Sequence, residues 1–519
     1  MSRKSILFVI VGVASLSACA AVGPNYHEPR TATPGAYLES GSGSLSATAG
    51  GGADVAQWWT QFRDPELERL ALMALRENPD IESGVSRIRE ARQQEIIAGA
   101  QGKPQVNLDG SVNNTMLSKN AGFSQLAKAF GGGGSSGGGS GGGSGGSGSG
   151  GSGSGGSGTG GGGPTTGIGL PGTDFTTYTL GFDASWEIDV FGGVRRSVES
   201  ARDQTGVQLW SLRDTEVSLS AEVATDYLSL RSLQQQILVA NRETARQQDL
   251  LKLVKARRTA GLAADLDVEQ QQTQVANSLS QTPTLEANAR AEIHALGVLT
   301  GQSPEALADE LTPTRATPTV PPQVPVGLPS DLLRRRPDVR QAERQLASAT
   351  ANIGVATAAL YPRFSLTGSA DLISESLKNL ISPNSLQTSI TGAVTWPIFD
   401  AGKGRANVRT AREKEVQAYA AYRKSVLGAL KDVEDALSRY GAEQRRNAAL
   451  GLAALSADRA YREAEGRYRS GLADFTTVLN SEGALFSAES QKAQSDGALA
   501  TDLVSLYKAL GGGWESQAS

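Results

Sequence analysis

Residues 178–186 read YTLGFDASW. With a period of two, Tyr178, Leu180, Phe182, Ala184 and Trp186 fall on one face, and Thr179, Gly181, Asp183 and Ser185 on the other. Three further stretches alternate in the same way. VNLDGSV (106–112) sets Val106, Leu108, Gly110 and Val112 against Asn107, Asp109 and Ser111. RFSLTGSA (363–370) and SITGAVTWPI (389–398) put Phe364, Leu366, Ile390, Val394, Trp396 and Ile398 on the apolar side. Such alternation over about 9 to 11 residues marks a transmembrane β-strand, and equally a half-buried strand pair of a soluble sandwich. The rest of the chain decides between them.

The N-terminus carries an export signal. MSRK is a basic n-region, SILFVIVGVAS a short apolar h-region, and Leu16-Ser17-Ala18-Cys19 a bacterial lipobox. Residues 1–18 are expected to be removed as a signal peptide, too short in its apolar part to span a bilayer as a helix. Cys19, the one cysteine, is expected to receive diacylglycerol, leaving no free thiol. An ordinary signal peptide with an incidental cysteine is the alternative. Ala20, where aspartate would signal inner-membrane retention, favours sorting outward. Export, together with aromatics at strand ends (Trp186, Phe191, Trp396, Phe399), favours the membrane reading. Four strands cannot close a barrel, whose smallest size is about eight, and open edges in lipid leave amides unpaired. Several chains must then share one barrel.

The chain is a tandem duplication. A shift of 258 pairs Asn78-Pro79-Asp80-Ile81 with Arg336-Pro337-Asp338-Val339 and Gly110-Ser111 with Gly368-Ser369. Further on the shift is 210 and holds without gaps from Trp186/Trp396 to Gly301/Gly511. It pairs Gly192 with Gly402 and Gly261-Leu262-Ala263 with Gly471-Leu472-Ala473. The first copy is thus 48 residues longer between its two aligned blocks. Residues 131–163, all glycine and serine except one threonine, supply 33 of these. Such a run cannot build a core. It is an insertion at a hairpin tip within a repeat, rather than a linker between domains.

Outside the strands the pattern is helical. Leu209, Leu212, Leu219, Val223, Leu230, Leu233, Ile237 and Ala240 recur at heptad-like steps. A helix from about Ser197 to Arg257 would be roughly 90 Å long, a length suited to a coiled-coil tube. Each long helical block breaks once, at RRTAGLAADLDV and RYRSGLADFTTV. Gly261 and Gly471 fit the left-handed position after a helix, and Asp265 or Asp474 could cap the next one. Residues 301–330 carry seven prolines and cannot be helical throughout. The division expected is a signal peptide (1–18), a lipid-anchored N-terminal segment (19–77), a first repeat (78–301), a Pro-rich connection (302–330), a second repeat (331–511) and a tail (512–519).

Composition excludes several classes. A formal charge of −4 with no basic tract speaks against nucleic acid. His27 and His294 are the only histidines, so no metal site is expected, and both are read as surface residues. GGSGG at 142–146 fits G-x-S-x-G only because a Gly-Ser tract generates such matches, without the strand and helix of a nucleophile elbow. No enzyme and no cofactor beyond the lipid are expected.

Several stretches carry a resemblance: CAAVGPNYHEP, WWTQFRDPELERLALMALRENPDI, WEIDVFGGVRRSV, LPSDLLRRRPDVRQAERQLASATANIGVATAALYPRFSLTGS, WPIFDAGKGRANV and LYKALGGGW. Together they make nearly the whole mature chain resemble the TolC-like outer-membrane efflux proteins, in the lipoprotein branch that serves resistance-nodulation-division (RND) pumps. The resemblance implies a homotrimer in the outer membrane, with a twelve-stranded transmembrane β-barrel, four strands per chain, and a periplasmic α-helical coiled-coil barrel with a mixed equatorial belt. It implies a periplasmic adaptor and an inner-membrane RND transporter as partners. Tips at Gly261, Leu262, Gly471 and Leu472 would dock the adaptor, and Asp267, Tyr468, Arg469 and Asp474 would form a periplasmic gate, with a carboxylate–phenol hydrogen bond between Asp267 and Tyr468. VLNSEGAL (478–485) departs from the family's VLDAQ-like pattern. The competing reading is a surface-anchored coiled-coil lipoprotein, structural or adhesive, which has no use for duplicated alternating strands.

Overall fold

A computed structural model describes residues 21–29, 34–38, 45–46, 55–116, 174–318, 320, 324–325 and 334–514. Cys19 and the glycine-serine run lie outside the described residues. The chain divides into two units, one of residues 102–188 and 363–395, the other of the remainder.

The smaller unit is a four-stranded antiparallel sheet whose strands lie side by side in chain order. Its strands are β2 (Gln105–Met116), β3 (Asp174–Ile188), β5 (Arg363–Ser374) and β6 (Leu386–Thr395). The register aligns the apolar positions of all four. Val106 faces Ala184, Ala184 faces Gly368, and Gly368 faces Ile390. Val106, Leu108, Val112, Phe182, Ile390 and Val394 are 57–84% exposed, an apolar face that water would not tolerate. β2, β5 and β6, of 10 to 12 residues, are roughly 34–41 Å long, and β3 has 15 residues. Tilted by about 40°, they span an apolar band of about 25 Å. Two strands come from each repeat, and among the described residues β2 and β6 are left as unpaired edges.

The larger unit is helical. It contains α1 (Pro65–Glu77), α2 (Pro79–Ala100), α3 (Gly193–Thr259), α4 (Asp265–Leu299), a turn of helix α5 (Ala308–Leu311), α6 (Pro337–Ala358), α7 (Lys403–Arg469) and α8 (Phe475–Ala509). The repeats agree in length: α3 and α7 have 67 residues each, α4 and α8 have 35. At about 1.5 Å per residue the longer pair is roughly 100 Å, somewhat beyond the length read from the sequence. Among the described residues no helix is long and apolar enough to cross a membrane. Of the expected α3 seam, Leu212, Leu219, Val223, Leu230 and Ala240 are buried, and Leu233 and Ile237 pack partly against the core. Leu209 is exposed instead.

The main core lies where a 3-10 helix (Val55–Phe62) meets α1, α3, α7 and α8. Trp58 stacks on Tyr507 at 5.4 Å, and the Tyr227 hydroxyl donates to Asp64 at 2.7 Å. Asp64 also caps α1, accepting from Glu66 N at 2.9 Å. Leu45–Ser46 (β1) and Val324–Pro325 (β4) form a short parallel pair, which ties the N-terminal segment to the Pro-rich connection. His27 and His294 are exposed, as read. Phe191, expected among interfacial aromatics, stacks on Tyr361 at 4.6 Å, so its ring is used within the helical unit.

Candidate functional site

Two helical hairpins, α3–α4 and α7–α8, end in equivalent turns. Gly261 (φ +77°) and Gly471 (φ +73°) take the left-handed conformation that costs other residues roughly 1–2 kcal/mol. The glycine N–H bonds back to Arg258 O at 2.9 Å in one turn and to Tyr468 O at 3.0 Å in the other. The following leucine bonds to Arg257 O and to Arg467 O, at 2.8 Å in each. Both turns are therefore Schellman motifs, which satisfy the last helix carbonyls. Leu262 and Leu472 project from them, 67% and 79% exposed. A side chain built on either glycine would meet nothing within 4 Å. Small residues thus leave the backbone of both tips open to a close approach.

The helices that follow start differently. Asp474 caps α8, its Oδ1 accepting from Thr477 N at 2.8 Å and from Thr477 Oγ1 at 2.6 Å. These bonds hold its carboxyl below the usual range. The position equivalent to Asp474 is Ala264, which has no acceptor. Asp267 compensates, Oδ2 accepting from Ala264 N at 3.2 Å, the carboxylate half of a capping box. Asp265, a candidate cap, is the first residue of α4 and pairs with Arg258.

Of the four gate candidates, Tyr468 and Asp267 come near enough to interact electrostatically. Burial holds Tyr468 above its ordinary range; the Arg257 charge opposes it, and the smaller effect of the Asp267 charge adds to it. The carboxylate–phenol hydrogen bond is not made within the chain. Asp267 is engaged at the helix start, and the buried Tyr468 hydroxyl has no hydrogen-bond partner among the described residues. Arg257, which the sequence reading missed, is the side chain that meets Tyr468 instead. Its guanidinium lies 4.5 Å from the Tyr468 ring centroid and Nη1 donates to Tyr468 O at 2.7 Å. Arg469 pairs with Glu465 at 2.5 Å on its own helix, and Asp474 is spent as a cap. The signal for Arg257 was present: the repeat shift sets Arg257-Arg258 against Arg467-Tyr468, so at these two positions the first tip carries two cations and the second a cation and a phenol.

An exposed apolar sheet with two open edges, joined in sequence to paired helices of about 100 Å, defines an outer-membrane channel of the TolC type. Residues 70–302 and 328–512 match the outer membrane efflux protein family, and the chain belongs to it. It is 29% identical over 508 residues to the pyoverdine export outer membrane protein OpmQ of Pseudomonas aeruginosa, covering 96% of each chain. It is 28% identical over 501 residues to the outer membrane protein OprJ of the same organism, covering 96% of this chain and 94% of that one. Among solved structures, the outer-membrane channel OprN superposes with a TM-score of 0.80 at 30% identity, over 95% of this chain and all of that one. The fold is accordingly that of a trimer in which each chain supplies four strands of a twelve-stranded barrel and two long helical hairpins. The protein is an outer-membrane exit duct of a tripartite efflux pump.

Proposed function

We infer that the two hairpin tips are where this duct closes at rest and where a periplasmic adaptor docks, linking it to an inner-membrane RND transporter. The observation that carries this reading is the pair of Schellman turns, each presenting an open glycine and an exposed leucine. A helical adaptor hairpin can approach such a turn closely and cover the leucine, burying apolar area worth about 25 cal/mol per Å². Closure would use Tyr468, braced by Arg257, with Asp267 beside it and Arg469 and Asp474 at the rim. Breaking contacts of that kind is within reach of a docking partner, because hydrogen bonds to charged groups contribute only about 1.5–3 kcal/mol each. Cargo choice would lie with the transporter; the duct conducts passively. Diacylglycerol on Cys19 would add a second hold on the membrane.

Single-channel recordings of the trimer in planar bilayers test the gate. Asp267→Ala combined with Tyr468→Phe should raise resting conductance and admit vancomycin in cells; conductance at the wild-type closed level places the gate elsewhere. Bulky substitutions at Gly261 or Gly471 should lower efflux while trimers persist, and normal resistance would remove the docking reading. Palmitate labelling should vanish in Cys19→Ser.

A further inference from the structure

Eight residues beyond the Asp474 cap, about 12 Å along the hairpins, the helices enclose a polar cluster that the tip chemistry does not use. Gln247 of α3 stands at its centre. Its Nε2 donates to Glu243 Oε1 on the same helix at 2.6 Å and to Glu482 Oε2 on α8. From α4, Gln271 donates to the Gln247 backbone carbonyl at 2.9 Å and to its side-chain oxygen at 2.5 Å. Glu482 and Gln271 are 0% exposed, Glu243 and Gln247 3% and 4%. Glu482 Oε1 and Gln271 Oε1 have no hydrogen-bond partner among the described residues.

Too few cations face this cluster. Arg246 of α3 serves both Glu243, at 3.0 Å, and Glu489 of α8, at 2.8 Å. From α7 come Tyr461, whose phenol burial and neighbouring carboxylates push up to about 12, and Glu465, which is paired with Arg469. From α4 comes only the neutral amide of Gln271. Three carboxyls, Glu243, Glu482 and Glu489, therefore share one guanidinium. An ionised Glu482 would be a fully buried charge held by a single amide hydrogen bond, the arrangement that burial penalises most. As the acid it is neutral and gains a donor. Burial, and next the Glu243 charge, push its carboxyl up to about 8.

We propose that Glu482 is a proton-operated latch: as the acid it lets α8 close on α3 and α4 through Gln247, and its ionisation loosens the hairpins above the tips. The departure VLNSEGAL places this carboxyl there. The device is separate from the tip contacts and holds wherever the passage closes. Its direction follows from linkage. The closed cluster keeps the proton up to about pH 8, whereas a loosened, hydrated Glu482 titrates near 4.5. The latch is complete below the lower value and is lost as pH rises to the upper one. In that window each pH unit favours the loosened form by about tenfold, for one proton per chain.

The test uses the full-length trimer in liposomes. Infrared spectra at about pH 7 should contain a protonated-carboxyl C=O band that Glu482→Gln lacks. Deuterium exchange of peptides from 240–275 and 475–490, corrected for intrinsic rates, should lose protection by about tenfold per unit from pH 6 to 8 in the wild type and stay flat in Glu482→Gln. Glu243→Gln, which removes the neighbouring anion, should move the transition to lower pH. Absence of that band, or one pH profile shared by wild type and Glu482→Gln, overturns the latch. Should Glu482→Gln fail to assemble, an unmoved transition in Glu243→Gln does so.

Discussion

At the first tip Ala264 begins α4 with no acceptor of its own, and Asp267 reaches back to its amide; at the second Asp474 begins α8 directly. The backbones are the same turn, with glycine φ of +77° and +73°. The difference teaches what duplication preserves. Glycines that set backbone direction recur at the shift of 210: Gly192 and Gly402, Gly261 and Gly471, Gly301 and Gly511. Polar side chains at the tips have diverged: Arg258 and Ala264 stand in the first where Tyr468 and Asp474 stand in the second.

The largest effect that sharpens this comparison belongs to the glycines at opposite hairpin ends. A side chain on Gly301 would sit 2.3 Å from the Glu77 carbonyl oxygen, while one on Gly261 meets nothing. Gly301→Ala should therefore cost well beyond the strain of about 1–2 kcal/mol expected for Gly261→Ala. Thermal unfolding of the trimers would rank them, and equal losses would mean that φ alone matters at both sites. Next, Asp474→Ala should cost about 1 kcal/mol by removing an N-cap. Asp267→Ala should cost less, since it removes only the reciprocal half of a box. A reversed order in urea denaturation would break the assignment of the two starts. Smallest, Ala264→Asp installs at the first tip what the second already has, and should stabilise α4 by roughly 0.5–1 kcal/mol. No gain in melting temperature would show that the Asp267 bond already satisfies that end.

Much of this was legible in the sequence because it rests on periodicity. Four strands, their apolar face and the internal shift all follow from side chains that alternate or recur, and the register confirms them residue by residue. Helix ends were legible at Gly261 and Gly471, where only glycine takes the turn cheaply. Three things were not. The cap at Asp265 failed because Asp265 and Asp267 both lie near the helix start, and a shift of one residue decides which amide a carboxylate reaches. Arg257 was missed because its partner Tyr468 is 211 residues away, on a helix whose neighbours no local pattern specifies. Glu482 stood out in the sequence only as a departure, since burial between α3, α4 and α8 cannot be read from α8 alone.

The central claim is that one chain supplies a third of a closed membrane barrel, its edge strands β2 and β6 completed by neighbouring copies. Cysteines placed pairwise on those edges, at Asn107, Asp109 or Ser111 with Ser389, Thr391 or Ala393, test it by oxidation in intact outer membranes followed by denaturing electrophoresis. Closure predicts a covalent species that stops at three chains for the pairs in register. A ladder running past three chains, or monomer alone for every pair, would contradict it.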